Sequence, residues 1–231
     1  MLEIKEVTKL FTPTTGIQDI SITISHGQIV AFVGPNGAGK STLFNILGRV
    51  LQADSGSCVM DGVEHNALHI SEIGFLPETL YLLEGFTPYK MIHFLSTMRE
   101  TGASDTDIDE LICRFGIDVY AQKKIKKLSQ GMRKRVELVS AFIGSPKLLV
   151  LDEPLNSLDI HGVLAFKDIL NLCKERGHIV LLSSHILDFL DSAVDSVVFL
   201  KDGKIVEVCS DITGRVEDIY RKHFEIFKSP V

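Results

Sequence analysis

Residues Gly34-Pro35-Asn36-Gly37-Ala38-Gly39-Lys40-Ser41 fit the pattern G-x-x-x-x-G-K-[ST]. Glycines let the backbone wrap tightly, so that successive N–H groups converge on one point, and a helix opening near Lys40 adds its positive dipole end there. Lys40 supplies a mobile cation for β- and γ-phosphates, the Ser41 hydroxyl is a ligand for Mg²⁺, and Thr42 can reach an α-phosphate oxygen. The expected ligand is a nucleoside triphosphate. A second constellation is Leu148-Leu149-Val150-Leu151-Asp152-Glu153-Pro154, an apolar run that ends in two carboxylates. Alone, such a pair reads as a solvated turn. Beside a phosphate loop, Asp152 suits coordination of Mg²⁺ and Glu153 suits activation of an attacking water.

These groups need rigid elements to hold them. Gln28 to Val33 is a short apolar run leading into the glycine loop, and Thr42 to Leu51 has apolar residues at helical spacing, so the loop joins strand to helix. Lys147 to Leu151 and His178 to Ser183 read as two further buried strands, each followed by a helical pattern (Ile160 to Glu175 and His185 to Leu190). Buried strands alternating with helices predict a mainly parallel sheet, whose carboxyl edge is where such proteins bind ligands. Ile20, Ile22 and Ile24 alternate as in a half-buried strand. From Thr87 to Ser145 helical periodicity takes over (Tyr89 to Met98, Asp105 to Phe115, Gln130 to Ile143), which predicts a helical insertion. Asp195 to Val208 reads as an antiparallel pair turning at Asp202-Gly203, and Val216 to Phe227 as an amphipathic helix. The chain has no internal repeat and no linker-like tract. It is expected to be one α/β domain, with residues 1–86 and 146–231 as core and 87–145 as the insertion.

Composition narrows the alternatives. The 231 residues are 45% hydrophobic and 23% charged, enough for one substantial core. The longest stretch without Asp, Glu, Lys or Arg, Ile20 to Gly39, is broken by glycines and a proline and cannot be a membrane helix. The start Met1-Leu2-Glu3-Ile4-Lys5-Glu6 has no signal-peptide pattern, so a cytoplasmic location is expected. Cys58, Cys113, Cys173 and Cys209 are spread singly and read as reduced thiols. A net charge of −6 argues against a nucleic-acid partner.

With these residues in place, the chain resembles the ATP-hydrolysing subunits of ATP-binding cassette (ABC) transporters over essentially its whole length. The diagnostic segment is Leu128-Ser129-Gln130-Gly131-Met132, which is similar to the family signature L-S-G-G-Q and stands at the start of a helix. The resemblance implies a P-loop NTPase fold, with antiparallel strands at the N-terminus, and ATP with Mg²⁺ as ligands. It also implies a head-to-tail dimer, in which Ser129 and Gly131 cap the ATP held by a second subunit. By the same resemblance Phe11 stacks on adenine where the family has Tyr, and Asn156-Ser157-Leu158-Asp159 is the loop crossing the dimer interface. His185 is the switch histidine at the γ-phosphate. Glu78, in Gly74-Phe75-Leu76-Pro77-Glu78, stands where the family has a glutamine that senses Mg²⁺ and water. The family's partner is a separate transmembrane permease, which would hold this chain at the inner face of the membrane. Glu78 and the L-S-x-G-M form are similar to export-type, separately encoded subunits. A soluble cassette ATPase acting on nucleic acid or ribosomes is the competing reading, and a weakly hydrolysing binding module a third. No N-K-x-D guanine motif supports a small GTPase.

Three features remain. Lys123, Lys124, Lys126, Lys127, Arg133, Lys134 and Arg135 surround the signature and read as a solvated face and an electrostatic complement to the partner's ATP. His65 and His69 could share a helix face, but no further ligand completes a metal site, so both read as surface residues. Leu80, Tyr81, Leu82, Leu83 and Phe86, next to Glu78, either pack the insertion on the core or line a groove for a permease helix.

Overall fold

The computed structural model describes residues 1–212, 214 and 216–224. Its first strands, β1 (Leu2–Thr12) and β2 (Thr15–Ile24), form a hairpin. Ile17, Ile20 and Ile24 are buried and Ile22 is half-buried. The alternation expected from Ile20 onward holds, and just before it Asp19, at φ 53°, marks an irregularity that also turns Ile17 inward.

Next come β3 (Ile29–Val33) and α1 (Lys40–Leu47). The helix is shorter than its apolar spacing predicts. Its last turn closes at Gly48, whose N–H donates to the Phe44 carbonyl, and Arg49 at φ 60° takes the chain out of helical conformation. β4 (Ser55–Met60) and β5 (Val63–Glu64) return to β1, giving an antiparallel sheet in the order β2-β1-β4-β5. The short strand β6 (Ile73–Leu76) then enters a second sheet.

Between β6 and β7 (Leu148–Leu151) the described regular elements are all helical: α2 (Pro88–Met98), α3 (Asp105–Arg114), α4 (Gln130–Phe142) and two short 3-10 turns. Thr87 caps α2, and Ser104 with Asp107 forms a capping box on α3. After β7 come α5 (Ile160–Glu175), β8 (Ile179–Ser183), α6 (Leu187–Ala193), β9 (Ser196–Lys201), β10 (Lys204–Cys209) and α7 (Val216–Phe224). The helix expected from His185 starts two residues late because the Ser184 hydroxyl accepts the Ile186 N–H at 3.1 Å and holds the chain in a turn. Asp202 and Gly203, both at positive φ, make the expected hairpin turn. The part of the last predicted helix after Phe224 lies outside the described residues.

The six-stranded sheet runs β10-β9-β3-β8-β7-β6, parallel throughout except for β10. Its central strands β3, β7 and β8 are apolar on both faces because both faces are covered. Ile29, Ala31 and Val33 point into a core shared with α4 and α5, while Val30 and Phe32 point toward α1 and the antiparallel sheet. Phe32 meets Phe44 edge to face at 5.4 Å, both fully buried, which pins the helix after the glycine loop against its own strand.

Candidate nucleotide site

Parallel order puts the carboxyl ends of β3, β8, β7 and β6 side by side. Phe32 is in register with Ser183, and Leu151 with both Leu182 and Leu76. The glycine loop, Asp152, Glu153, His185 and Glu78 therefore leave one sheet edge together, although they come from four distant parts of the chain. Alternative readings of the glycine run and the acidic pair as solvated turns do not fit this convergence.

Gly39 starts α1 at φ 102°, and a Cβ there would lie 2.4 Å from Ile17 Cγ2. Only glycine satisfies both the backbone and the close approach. Lys40 folds back over its own loop, with Nζ donating to the Gly34 carbonyl at 2.6 Å and the Pro35 carbonyl at 3.3 Å. Burial pushes its ammonium pKa below the usual lysine range, against the opposing pull of Glu153, Asp152 and Glu78. The cation is thus held by groups that a polyphosphate can replace. Ser41 and Thr42 occupy the first turn of the same helix.

Asp152 is buried and its N–H donates to the Leu76 carbonyl at 2.8 Å. Ser183, fully buried at the end of β8, holds both acids: its Oγ donates to Asp152 Oδ1 at 2.6 Å and accepts the Glu153 N–H at 2.8 Å. Glu153 adopts φ 47°, a left-handed conformation unusual for a glutamate. That turn swings its carboxylate away from the buried position of Asp152 toward the partly open side of the edge. There Glu153 Oε2 lies 3.0 Å from Nδ1 of His185, whose side chain is largely exposed. Glu78, just past β6, is exposed. Ser41, Asp152 and Glu78 offer hydroxyl and carboxylate oxygens, the hard donor set that Mg²⁺ takes when phosphate oxygens and waters complete its shell.

Phe11 is on the antiparallel sheet and 58% exposed, so it is not the core phenylalanine that a strand position would ordinarily hold. Its face is open to a stacking partner.

The signature residues lie elsewhere. Ser129 caps α4, its Oγ accepting the Met132 N–H at 3.3 Å, and Gly131 faces the loop before α5, where a Cβ would come within 2.9 Å of the Ser157 carbonyl. Arg135 bridges the two: its guanidinium pairs with Asp159 and donates to the Phe115 carbonyl at 3.1 Å. Asp159 also caps α5 by accepting the Gly162 N–H at 2.8 Å. These two bonds, the backbone one first, hold its carboxyl below the usual aspartate range. None of the described hydrogen bonds of Ser129, Gly131 or Asp159 reaches the glycine loop of the same chain.

Two expectations are corrected. His65 is not a surface residue: it is 3% exposed, with Nε2 unpartnered, and burial lowers its pKa, while His69 caps a 3-10 turn. The basic cluster is not one face, because Lys134 is buried beside Glu137 and Arg135 is spent on Asp159, leaving the lysines before the signature exposed. Ser183 and Arg135 are the organising residues that reasoning from the sequence did not single out. A Ser-Ser-His run closing an aliphatic strand was the available signal for Ser183; nothing local distinguished Arg135 from its basic neighbours.

A glycine loop between the first parallel strand and its helix, with acids at the end of β7 one strand beyond β8, defines a P-loop nucleoside-triphosphatase fold. Comparison with known proteins gives the family. Residues 17–156 match the family model described as ABC transporter. The lantibiotic transport ATP-binding protein SrtF of Streptococcus pyogenes is 33% identical over 206 residues, 89% of each chain. The uncharacterized ABC transporter ATP-binding protein YhcH of Bacillus subtilis is 34% identical over 212 residues, 90% of this chain and 69% of the relative. A solved ATP-binding subunit of an ABC transporter superposes with a TM-score of 0.83 at 26% identity, covering 96% of this chain and 92% of the other. A dimeric post-hydrolysis cassette, MJ0796 with ADP and Pi, shares the fold at a TM-score of 0.79 and 23% identity, covering 91% and 99%. The chain belongs to the ABC transporter family, as an ATP-binding subunit and ATPase.

Proposed function

We propose that this chain works as one of two cassettes that close head to tail around two ATP molecules and drive a separate transmembrane permease, in the direction of export. The observation that carries the pairing is a separation within the chain. The glycine loop, Asp152, Glu153 and His185 share one sheet edge, whereas Ser129 and Gly131 ride on the insertion, Ser129 capping α4 and Gly131 facing Ser157, not the loop they would complete. A second copy, or a related cassette, brings its signature to this chain's nucleotide.

In this reading the loop N–H groups from Gly34 to Gly39 and the Lys40 ammonium receive the β- and γ-phosphates, Thr42 the α-phosphate, and Phe11 the adenine face. Ser41 and Asp152, with Glu78, would hold Mg²⁺, which supplies charge neutralisation at the phosphate oxygens when bound. Glu153 takes a proton from water as its oxygen attacks the γ-phosphorus; the bond to the bridging β,γ-oxygen breaks and ADP departs. His185 orients that carboxylate and faces the γ-phosphate. Asp159, tied to Arg135, sets the interface loop.

Residues 87–145 act as the lever between the two sites. Tyr81 and Leu83, 88% and 45% exposed beside Glu78, support a permease contact there, as does the transport named for SrtF. Among the described residues no helix is long and apolar enough to cross a membrane, in keeping with a permease on another chain and a peripheral position at the cytoplasmic face. Glu78 and the L-S-x-G-M signature support the export-type assignment.

The test is Glu153→Gln in the full chain. Retained ATP binding, turnover reduced by about 100-fold or more, and an ATP-dependent dimer on size exclusion are expected. Undiminished hydrolysis would remove Glu153 from its role, and a monomer under ATP would remove the pairing.

A further inference from the structure

The turn before the signature carries Lys123, Lys124, Lys126 and Lys127, all exposed, around the buried anchors Ile125 and Leu128. Other lysines of the chain, such as Lys9, Lys147, Lys174 and Lys222, are paired with acids. These four are not: among the described residues none of their ammonium groups meets a carboxylate or a hydrogen-bond acceptor. Glu84, an acid on the adjoining segment, is taken by Arg133 at 3.5 Å. The turn is fastened to that segment through its backbone, with Ile125 N–H donating to the Phe86 carbonyl at 2.8 Å and Lys126 N–H to the Glu84 carbonyl at 3.2 Å. Four uncompensated cations therefore stand on a turn fastened to the segment that carries Tyr81 and Leu83, an aromatic and an aliphatic side chain open to solvent.

We propose that Lys123, Lys124, Lys126 and Lys127, with Tyr81 and Leu83, form a contact surface for anionic phospholipid headgroups. Charge complementarity carries it. Each lysine near a negatively charged bilayer contributes about fivefold in partitioning, so four contribute on the order of several hundredfold. The net charge of −6 on the whole protein opposes this little, because charges more than about 8 Å away are screened at physiological salt. A tyrosine and a leucine at such a patch are the side chains that settle at the headgroup boundary. The placement rests on the reading that residues 78–87 face the permease and hence the bilayer. The lysines would then touch the lipid around the permease and help fix the tilt of the insertion.

The full chain is sedimented with vesicles of phosphatidylcholine and phosphatidylglycerol at 3:1, and with phosphatidylcholine alone. Binding to the mixed vesicles only, lost at 0.5 M salt and weakened by at least about 50-fold in a Lys123→Gln/Lys124→Gln/Lys126→Gln/Lys127→Gln variant of unchanged melting temperature, is expected. Tyr81→Ser should weaken it severalfold more modestly. No binding to mixed vesicles, equal binding to neutral ones, or tighter binding to single-stranded RNA at the same salt would overturn the proposal. Co-purification with the permease is followed in parallel. If it persists while vesicles fail to bind, the lipid contact alone is wrong; if it is lost in wild type, the permease reading fails instead.

Discussion

Ser183 Oγ donates to Asp152 Oδ1 at 2.6 Å while accepting the Glu153 N–H at 2.8 Å, so one hydroxyl from β8 sets both carboxylates at the end of β7. The arrangement gives adjacent acids different surroundings. Asp152 stays inside the strand register, and Glu153 turns out toward His185.

Ser183→Ala should therefore damage the site without touching any ligand. The Glu153 N–H loses its acceptor in a part-buried position and the buried Asp152 carboxylate loses its donor, which costs about 1–3 kcal/mol. Denaturant unfolding should show that loss, and ATP turnover should fall more steeply than ATP affinity, since both acids lose their common restraint.

Lys40→Met separates the charge from the fold. Burial lowers the Lys40 pKa, so the unfolded chain binds the proton more readily and the ammonium burdens the folded state until pH rises toward the ordinary lysine value of 10.5. The variant without nucleotide should be as stable as wild type or more so. With ATP at 100 times its Kd the wild type should gain about 2.7 kcal/mol, and the variant should gain none at the same concentration. Melting curves with and without nucleotide check both parts.

Gly131→Ala would place a Cβ within 2.9 Å of the Ser157 carbonyl, forcing the signature helix away from the interface loop. Arg135→Lys keeps the charge but not the fork that reaches Asp159 and the Phe115 carbonyl together. Both variants should bind ATP with near wild-type affinity as monomers, yet dimerise poorly and turn over ATP at least about tenfold more slowly, a barrier higher by about 1.4 kcal/mol. Weakened monomer binding would contradict the separation of the two half-sites.

His65 introduces a pH dependence. Its pKa is lowered first by burial, then by Arg49, against a hydrogen bond to the Leu47 carbonyl. The folded state thus favours the neutral ring, and the unfolded chain takes up a proton first. Stability should be fully present above pH 6.5 and fall as pH drops from 6.5 toward the folded value, by at most about 1.4 kcal/mol per pH unit for this group. His178 is shifted the same way, also by burial first. Urea midpoints between pH 5 and 8 should show a shallower slope for His65→Gln than for wild type.

Local signals carried much of the fold. β3, β7 and β8 were legible because fully covered parallel strands are short and wholly aliphatic, and α2, α3, α4 and α5 because a single covered face repeats with helical period. The strand β6 was not singled out: Ile73-Gly74-Phe75-Leu76 carries a glycine where the equally short β7 is wholly aliphatic, and it is a strand because it pairs with β7. The start of α6 depended on one serine hydroxyl capturing the Ile186 N–H, a competition that hydrophobic spacing does not register.

For the site, the sequence by itself determined which groups can do the chemistry: the glycine loop with Lys40 and Ser41, the acids Asp152 and Glu153, and His185 at a strand end. Residue type and immediate neighbours are enough for that, since phosphate binding needs a particular backbone path and carboxylates at a strand end need only the strand. Only the tertiary structure decided how they act on one another. Strand order brings four separate segments to one edge, Ser183 holds two adjacent acids in different surroundings, and Arg135 joins the signature helix to Asp159 and away from its own glycine loop. These are contacts between residues far apart in the chain, fixed by sheet register and packing, and no local pattern encodes them.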